Sequence, residues 1–203
     1  MRSPANECHE KAAWRFRHCR RRRQKHRVRF MKPASARRWR SEVAFGGGVT
    51  VALSAVYLAT LSRTVFWYDS AEFVTAAVVL GIPHPPGYPL YTLLGWLFVQ
   101  LPLEPALAVN VMSATFATLA VFLAFCVQRK LGAGGGASAI GAATLGLTPL
   151  FWSQAVIAEA HAPALALTLG VWLLLLRAYN EGRARLAILA AGLAGLGLGI
   201  HLS

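Results

Sequence analysis

Two carboxylates and a histidine beside a run of prolines are the residues of this sequence best suited to chemistry. Asp69 and Glu72 are three positions apart, so on a helix they share one face. His84 follows within a segment that holds four prolines in seven residues (83–89), and proline cannot continue a helix. The spacing predicts paired carboxylates, the residue types of general acid–base chemistry, next to a stiff turn around His84 and Gly87.

The same acidic pair has a purely structural interpretation, as the beginning of a helix. In Asp69-Ser70-Ala71-Glu72, Asp69 would be the N-cap and Glu72 would close a capping box. An apolar stripe follows, and it predicts a short amphipathic helix lying on a membrane surface. The stripe consists of Phe73, Ala76, Ala77 and Leu80. A lone histidine such as His84 is also more often a turn residue than a ligand, so both interpretations are open.

The elements that must position these residues follow from composition and charge. The chain has 203 residues, of which 56% are hydrophobic and 14% charged, against about a quarter charged in soluble domains. Residues 1–40 hold 15 of the 21 Lys and Arg and two of the eight acids, so the net charge of +13 belongs to this stretch. The sequence predicts a disordered basic cytoplasmic tail over residues 1–40 and an all-α transmembrane domain over residues 41–203.

The basic tail has further interpretations, which we consider weaker. Basic blocks bind nucleic acid, but a Lys/Arg cluster next to the first apolar span is the positive-inside signal and binds anionic lipid head groups. Cys8, His9, His18 and Cys19 fit no strong zinc spacing. We therefore predict membrane lipids as partners, no nucleic acid and no metal site. We also hypothesise that translation begins at the second methionine, Met31.

Apolar segments long enough for membrane helices recur along the rest of the chain. A bilayer core takes about 20 apolar residues per helix. The five predicted spans cover residues 43–65, 106–127, 137–152, 162–177 and 186–203. The segment Tyr88–Leu101 is shorter and rich in aromatics, which predicts an interfacial or re-entrant helix. Leaving it out of the spans puts the basic clusters at 128–130 and 177–185 on the cytoplasmic side, as the positive-inside rule favours.

This topology gathers polar groups on the external side of a bacterial inner membrane, with the N-terminus in the cytoplasm. The external loop 66–105, residues 151–162 and the chain end all lie there. They carry four of the six acids beyond the tail, among them Asp69, Glu72 and Glu159, and all three histidines beyond it, His84, His161 and His201. Because polar groups near bilayer depth cost free energy and are usually functional, this side is the candidate site.

The sequence resembles a known membrane family of bacteria and eukaryotes that is related to protein O-mannosyltransferases. The resemblance begins at Tyr68, with the run YDSAEFVTAAVVLGIPHPPGYPLYTLLGWLF. The family pattern has Asp-Ser-Gly-Glu-Phe and then Gly-Ile-Pro-His-Pro-Pro-Gly-Tyr-Pro-Leu, and this chain departs from it with Ala71 in place of glycine. Further matches follow at Val109-Asn110, FWSQAVIAEAHA and GLGLGIHLS. His161 stands where the family has tyrosine, and the resemblance covers about residues 43–203.

The resemblance implies a glycosyltransferase C-type fold, a helical bundle that uses a polyprenyl-phosphate-linked sugar at the external face. In O-mannosyltransferases the first external loop carries an acidic pair and then a His-Pro-Pro element that leads into a membrane-surface helix. The implied mechanism has Asp69 as general base on an acceptor hydroxyl and Glu72 orienting the acceptor or sharing the base role. His84 and Arg63 are the candidates that meet the leaving phosphate. Further substrate-binding candidates are Tyr88, Glu159, His161 and His201.

The implied partners are the lipid-linked sugar donor and a protein or lipid hydroxyl acceptor, and a need for a divalent metal is left open. Two other classes stay open beside the enzyme. A lipid or solute transporter would carry acids within its spans, whereas those here lie at span ends; a non-catalytic assembly subunit would keep the fold without turnover. The chain ends inside an apparent span at Ser203. We therefore expect the N-terminal part of a longer enzyme, whose activity by itself is not implied.

Overall fold

A computed structural model describes residues 36–200 of the protein, with side chains from Val43 onward. The regular secondary structure of this part consists of helices alone. The eight helices are α1 (Ala36–Ala59), α2 (Ser70–Val79), α3 (Pro89–Val99), α4 (Pro105–Lys130), α5 (Gly135–Leu147), α6 (Pro149–Ala155), α7 (His161–Glu181) and α8 (Ala184–Gly197). The predicted all-α class is confirmed, while the basic tail up to residue 35 and His201 lie outside the described residues.

Helix α4 is the central helix, because α1, α2, α3, α5, α6 and α7 all pack against it. It begins at Pro105, which suits a first helical position because the N–H that proline lacks would have no partner there. Arg129 and Lys130 occupy its last turn, where cations interact favourably with the negative end of the helix dipole. Buried alanines along α4, among them Ala117 and Ala120, allow neighbouring helices to approach closely.

The first packed cluster lies between α1, α4 and α5, which we call the glycine-packed region. A Cβ atom added at Gly46 would lie 2.6 Å from ring atoms of Phe125, so the contact between α1 and α4 requires glycine. A Cβ atom at Gly146 would lie 2.7 Å from the side chain of Leu53. The buried Tyr57 hydroxyl donates to the carbonyl oxygen of Gly146 at 2.8 Å, and this bond joins α1 to α5.

The second packed cluster lies under α2 and α3 and is rich in aromatic side chains. Phe73, Tyr88 and Tyr91 are buried there against Val109 of α4. Aromatic side chains bury large apolar areas, so this cluster fixes α2 and the chain that leads into α3. We call residues 60–100, which hold α2, α3 and the loops before and between them, the site region.

Two helices, α4 and α7, are long and apolar enough to cross a membrane. The other predicted spans correspond to shorter apolar helices. Helix α5 has 13 residues and α8 has 14, which at 1.5 Å per residue is roughly 20 Å, against a hydrocarbon core of about 30 Å. The five predicted spans are therefore not confirmed, and the described residues offer two candidate spans.

Helix boundaries differ from the predicted spans at two places. Helix α1 begins at Ala36 and ends at Ala59, so the predicted span end at residue 65 falls in a loop. The predicted span 137–152 is divided at Thr148, whose extended backbone (ψ 126°) precedes Pro149. Proline disfavours helical geometry in the residue before it, which is why α5 ends and α6 begins there.

The two short helices expected between residues 66 and 105 are present. Helix α2 carries the predicted apolar stripe, of which Phe73, Ala76 and Ala77 are buried. Leu80 is half exposed, because it follows the last helical residue and adopts a left-handed backbone (φ 50°). Helix α3 lies within the segment predicted as an interfacial or re-entrant helix.

Candidate active site

Helix α2 positions the acidic pair at its first turn. Tyr68 adopts a left-handed backbone conformation (φ 66°), and Asp69 follows as the N-cap residue. Asp69 has helical backbone angles (φ −73°, ψ −11°) instead of the extended ones usual at an N-cap, and its side chain makes no capping hydrogen bond. The Glu72 side chain contacts His84. The predicted capping box is therefore wrong, and both carboxylates face other partners.

Glu72 holds the proline-rich loop through two contacts with one residue. Its Oε1 accepts the backbone N–H of His84 at 2.6 Å, and its Oε2 lies 2.8 Å from His84 Nδ1. The loop is turned further by a hydrogen bond from the Gly87 N–H to the His84 carbonyl at 2.9 Å, with Gly87 at a positive φ of 96°. The predicted stiff turn is thus fixed by one carboxylate as well as by its prolines.

Asp69 lies near the second nitrogen of the His84 ring. Its Oδ2 is 3.8 Å from Nε2, so each ring nitrogen has a carboxylate near it, Glu72 at Nδ1 and Asp69 at Nε2. The Asp69 side chain is 52% exposed, which leaves it accessible to a substrate hydroxyl. The arrangement brings a carboxylate, an imidazole and a second carboxylate together in one cluster, with a ligand atom of each within 4.8 Å of the others.

Aromatic side chains form the wall against which the His84 ring packs. Phe73 and Tyr88 lie with their ring centres 5.8 and 5.1 Å from the imidazole. They also meet each other edge to face at 5.0 Å. Such edge contacts are favourable for aromatic quadrupoles, so the ring orientation is restricted from the buried side. The substrate candidate Tyr88 is thereby placed next to the acidic pair.

The charges of the site shift the pKa values of its members in opposite directions. The hydrogen bonds from His84, first from its side chain and then from its backbone, lower the pKa of Glu72 below 4.5. The hydrogen bond to Glu72 raises the pKa of His84 above 6.5 against the opposing effect of burial, with further contributions from the charges of Asp69, Glu72 and Glu159. Burial, and then the same three carboxylates, raise the pKa of Tyr88, whose hydroxyl is therefore neutral at physiological pH.

A second acid–histidine pair, Glu159 with His161, lies between α6 and the beginning of α7. Glu159 Oε2 is 3.6 Å from His161 Nδ1, and the Glu159 side chain is only 10% exposed whereas that of His161 is mostly exposed. The backbone N–H of Glu159 donates to Ser113 Oγ of α4 at 3.4 Å. Because the charge of Glu159 acts on both His84 and Tyr88, the two pairs share one electrostatic environment.

Two predicted site residues are not part of this arrangement as described. Arg63 is exposed in the loop before α2, and no ion pair joins it to a carboxylate within residues 43–200. His201 lies outside the described residues. The structure therefore gathers Asp69, Glu72 and His84 with Tyr88 and the Glu159 pair nearby, and Arg63 forms no ion pair with these acids.

The sequence interpretation gave no role to Asn110, a fully buried residue of α4 that secures the loop before the acidic pair. Its Nδ2 donates to the carbonyl oxygens of Ser62 and Thr64, at 2.8 and 3.3 Å. Nearby, the Trp152 indole donates to Thr60 Oγ1 at 3.0 Å. The sequence could have indicated this role, because Asn110 is a polar residue within an apolar helix. Buried polar groups require hydrogen-bond partners.

Asp69, Glu72 and His84 are also residue types that bind divalent cations. Each offers one ligand atom, and these atoms lie within 4.8 Å of one another. Carboxylate oxygens and imidazole nitrogens suit zinc or manganese. A cation would compete with the contacts described above, because it would use the same atoms. The expectation of no metal site stays a prediction.

In residues 36–200 the fold and the site together define an all-helical structure with two candidate membrane spans and an exposed Asp–His–Glu site. The family model described as the Protein O-mannosyl-transferase TMEM260 N-terminal domain matches residues 69–203, and the chain belongs to this family. The match begins at the Asp69 of the site. The family resemblance predicted from the sequence is confirmed. The expectation that this chain corresponds to the N-terminal part of the family is also confirmed.

Two curated relatives carry the same description. The chain is 36% identical over 129 residues to the Protein O-mannosyl-transferase TMEM260 of Mus musculus, an alignment that covers 62% of this chain and 18% of the mouse protein. It is 25% identical over 142 residues to the tmem260 protein of Dictyostelium discoideum, covering 66% of this chain and 17% of the relative. The chain thus spans less than a fifth of the length of these relatives. No solved structure matches it.

Proposed function

We propose that this chain forms the N-terminal part of a membrane glycosyltransferase that moves a sugar from a polyprenyl-phosphate donor to a hydroxyl acceptor on the external face. The observation that supports it most directly is the exposed Asp69 carboxylate beside a His84 ring that Glu72 holds in place. The relatives named O-mannosyl-transferase favour mannose as the sugar. Acceptor activation needs such an accessible and positioned base.

Asp69 is the proposed general base. A hydroxyl at the exposed edge of its carboxylate gives up its proton while the hydroxyl oxygen attacks the anomeric carbon and the bond to the lipid phosphate breaks. A base at this step typically contributes about 10²–10⁴-fold. Asp69 suits the role better than Glu72, because both oxygens of Glu72 already contact His84. We therefore assign Glu72 to fixing the loop and not to sharing the base role.

The leaving phosphate needs a cation or hydrogen-bond donors. Of the two candidates predicted for it, His84 has both ring nitrogens directed to carboxylates, so it is poorly placed to meet an anion. Arg63 is exposed in the same loop region and is not paired with a described carboxylate. We therefore propose Arg63 for the phosphate.

The remaining candidates are proposed to meet the sugar. Glu159 and His161 offer an acceptor and a donor, and hydroxyl groups of a hexose need both. The neutral hydroxyl of Tyr88, whose ring packs against His84, supplies a further group. In this proposal the acidic loop faces the external side of the membrane, and the acceptor hydroxyl belongs to a protein or a lipid.

The test is transfer of labelled mannose from a polyprenyl-phosphate donor in membranes that contain this chain. We expect transfer by the wild-type chain and a fall of about 10²–10⁴-fold in Asp69→Asn. Glu181→Gln is the matched control, since Glu181 pairs with Arg183 at the far end of α7. Equal transfer by wild type and Asp69→Asn would contradict the assignment of the base. Absence of transfer by the wild-type chain would contradict activity of this chain on its own.

A further inference from the structure

We propose that His84 receives the acceptor's proton from Asp69 during sugar transfer, and that Glu72 is the positioning residue that aims the His84 ring. This inference rests on the proposed function, in which Asp69 is the general base. It deepens that function because it gives the proton a destination and gives the His-Pro-Pro element a chemical role. It is carried by the two contacts of the His84 ring, Nδ1 with Glu72 at 2.8 Å and Nε2 with Asp69 at 3.8 Å.

The hydrogen-bond partners of His84 fix which nitrogen can accept a proton. Glu72 Oε2 lies 2.8 Å from Nδ1, and an ionised carboxylate only accepts hydrogen bonds, so Nδ1 carries the hydrogen. In the neutral ring the lone pair is then on Nε2, the nitrogen that faces Asp69 Oδ2 at 3.8 Å. The ring is thus presented to Asp69 in the tautomer that can take a proton.

The transfer step balances without any further reactant. The acceptor O–H bond breaks and its proton goes to an Asp69 oxygen, while the acceptor oxygen bonds to the anomeric carbon and the phosphate leaves with the electron pair of the broken bond. The proton then passes from Asp69 to His84 Nε2, which restores the carboxylate. The 3.8 Å separation exceeds a direct hydrogen bond. Rotation of the exposed Asp69 side chain, or one bridging water, closes it.

The charges around His84 favour this direction of transfer. Asp69 and Glu72 face the ring from α2, Glu159 acts from the segment before α7, and Tyr88 packs on it from the beginning of α3. All three carboxylates raise the pKa of His84, so a proton moves downhill from a carboxylic acid to the imidazole. Within residues 43–200, no Lys or Arg forms an ion pair with any of these acids.

The pH dependence of transfer separates this relay from a base that acts alone. A relay needs neutral His84 at the start, so kcat/KM should fall as the pH drops through the raised pKa of His84. We call this fall of kcat/KM at low pH the acid limb of the profile. With Asp69 acting alone, kcat/KM would not depend on the protonation state of His84, so the pH profile would be the same in the wild type and in His84→Gln. Glu72→Gln keeps a hydrogen-bond acceptor but removes a charge that raises the pKa of His84. It should therefore shift the acid limb to lower pH.

If Glu72 only stabilised the structure, the pH profile of Glu72→Gln would differ from the one that the relay predicts. The substitution would lower kcat/KM at every pH and leave the acid limb where it is. His84→Gln should remove the limb of the profile, and the control Glu181→Gln should leave the profile unchanged. A pH profile that is the same in the wild type and in His84→Gln, or an acid limb that does not move in Glu72→Gln, overturns the relay. Loss of transfer on adding EDTA, with rescue by Mn²⁺, also overturns it in favour of a cation at the same residues.

A second measurement does not depend on activity and so separates failure of the relay from failure of the proposed function. In detergent micelles, the imidazole of His84 is titrated by NMR in the chain labelled at histidine, with His84→Gln to assign its signal. We expect a pKa above 6.5 in the wild type and lower values in Glu72→Gln and Asp69→Asn. An ordinary pKa that neither substitution changes contradicts the geometry on which the relay depends, whatever the transfer assay gives.

Discussion

In the glycine-packed region two helices meet because Gly46 has no side chain, whereas in the site region a loop is fixed because Glu72 reaches across twelve residues to His84. The first contact is buried and apolar, so it changes little with pH. The second is exposed and joins titratable groups, so it contributes little to global stability. We infer that stability and function depend on different parts of the molecule, and that substitutions should separate them.

The largest effect on stability is expected at Gly46. The Cβ atom of Gly46→Ala would meet the Phe125 ring at 2.6 Å, and such overpacking costs about 1–3 kcal/mol. Gly47→Ala is the matched control: its Cβ meets nothing within 4 Å, and alanine favours the helix by up to about 1 kcal/mol. Thermal unfolding in detergent, followed by tryptophan fluorescence, measures both. Equal midpoints for the two variants would remove close approach as the basis of the glycine-packed region.

A smaller effect is expected at Asn110 of α4, which holds the loop at the beginning of the site region. Asn110→Ala removes the hydrogen bonds to the Ser62 and Thr64 carbonyls, each worth about 0.5–1.5 kcal/mol. Amide hydrogen exchange in residues 60–68 should accelerate. Thr115→Ala serves as control, since its exposed hydroxyl bonds only to Val111 of its own helix. Unchanged exchange in the loop would show that other contacts hold it.

A local effect without a global one is expected at Glu72. Glu72→Ala removes the acceptor of the His84 N–H, so exchange of that amide and of the Gly87 amide should accelerate. The unfolding midpoint should stay at its wild-type value, because the contact is exposed. Glu104→Ala removes an exposed carboxylate that makes no capping bond and is the control. A lowered midpoint in Glu72→Ala would show that the two regions are not separable.

The smallest effect is a pH dependence of the same loop. The raised pKa of His84 means that its contribution is complete below pH 6.5 and is lost as the pH rises through that raised value. The lowered pKa of Glu72 means that its contribution is complete above pH 4.5 and is lost as the pH falls through the lowered value. Protection of the His84 amide, corrected for intrinsic exchange, should be greatest between pH 4.5 and 6.5. A flat profile would contradict the pairing.

Local patterns in the sequence predicted the elements of the site region well. The apolar stripe from Phe73 predicted α2, and the short aromatic segment Tyr88–Leu101 predicted α3. The acidic pair and His84 were found because carboxylates and histidine are rare in this apolar body. The capping pattern predicted that Glu72 would bond at the beginning of its own helix, but its partner is His84. A contact across twelve residues depends on how the proline-rich loop folds back, which the local pattern does not show.

Contacts between distant segments could not be predicted in this way. Gly46 and Gly47 are adjacent glycines, and nothing in the sequence shows which of them is packed. The position of Phe125 on α4 makes Gly46 a close contact, whereas Gly47 faces open space. The five spans were counted from apolar length, but Pro149 divides one of them. The electrostatic link between Glu159 and His84 likewise depends on tertiary structure.

The most direct test of the central claim measures transfer and stability on the same samples. Wild type and Asp69→Asn are compared for mannose transfer from the polyprenyl-phosphate donor and for thermal unfolding in one detergent. We expect transfer to fall by about 10²–10⁴-fold while the unfolding midpoint does not change. Transfer that is equal in both, or that falls only together with the midpoint, would contradict a catalytic role for Asp69.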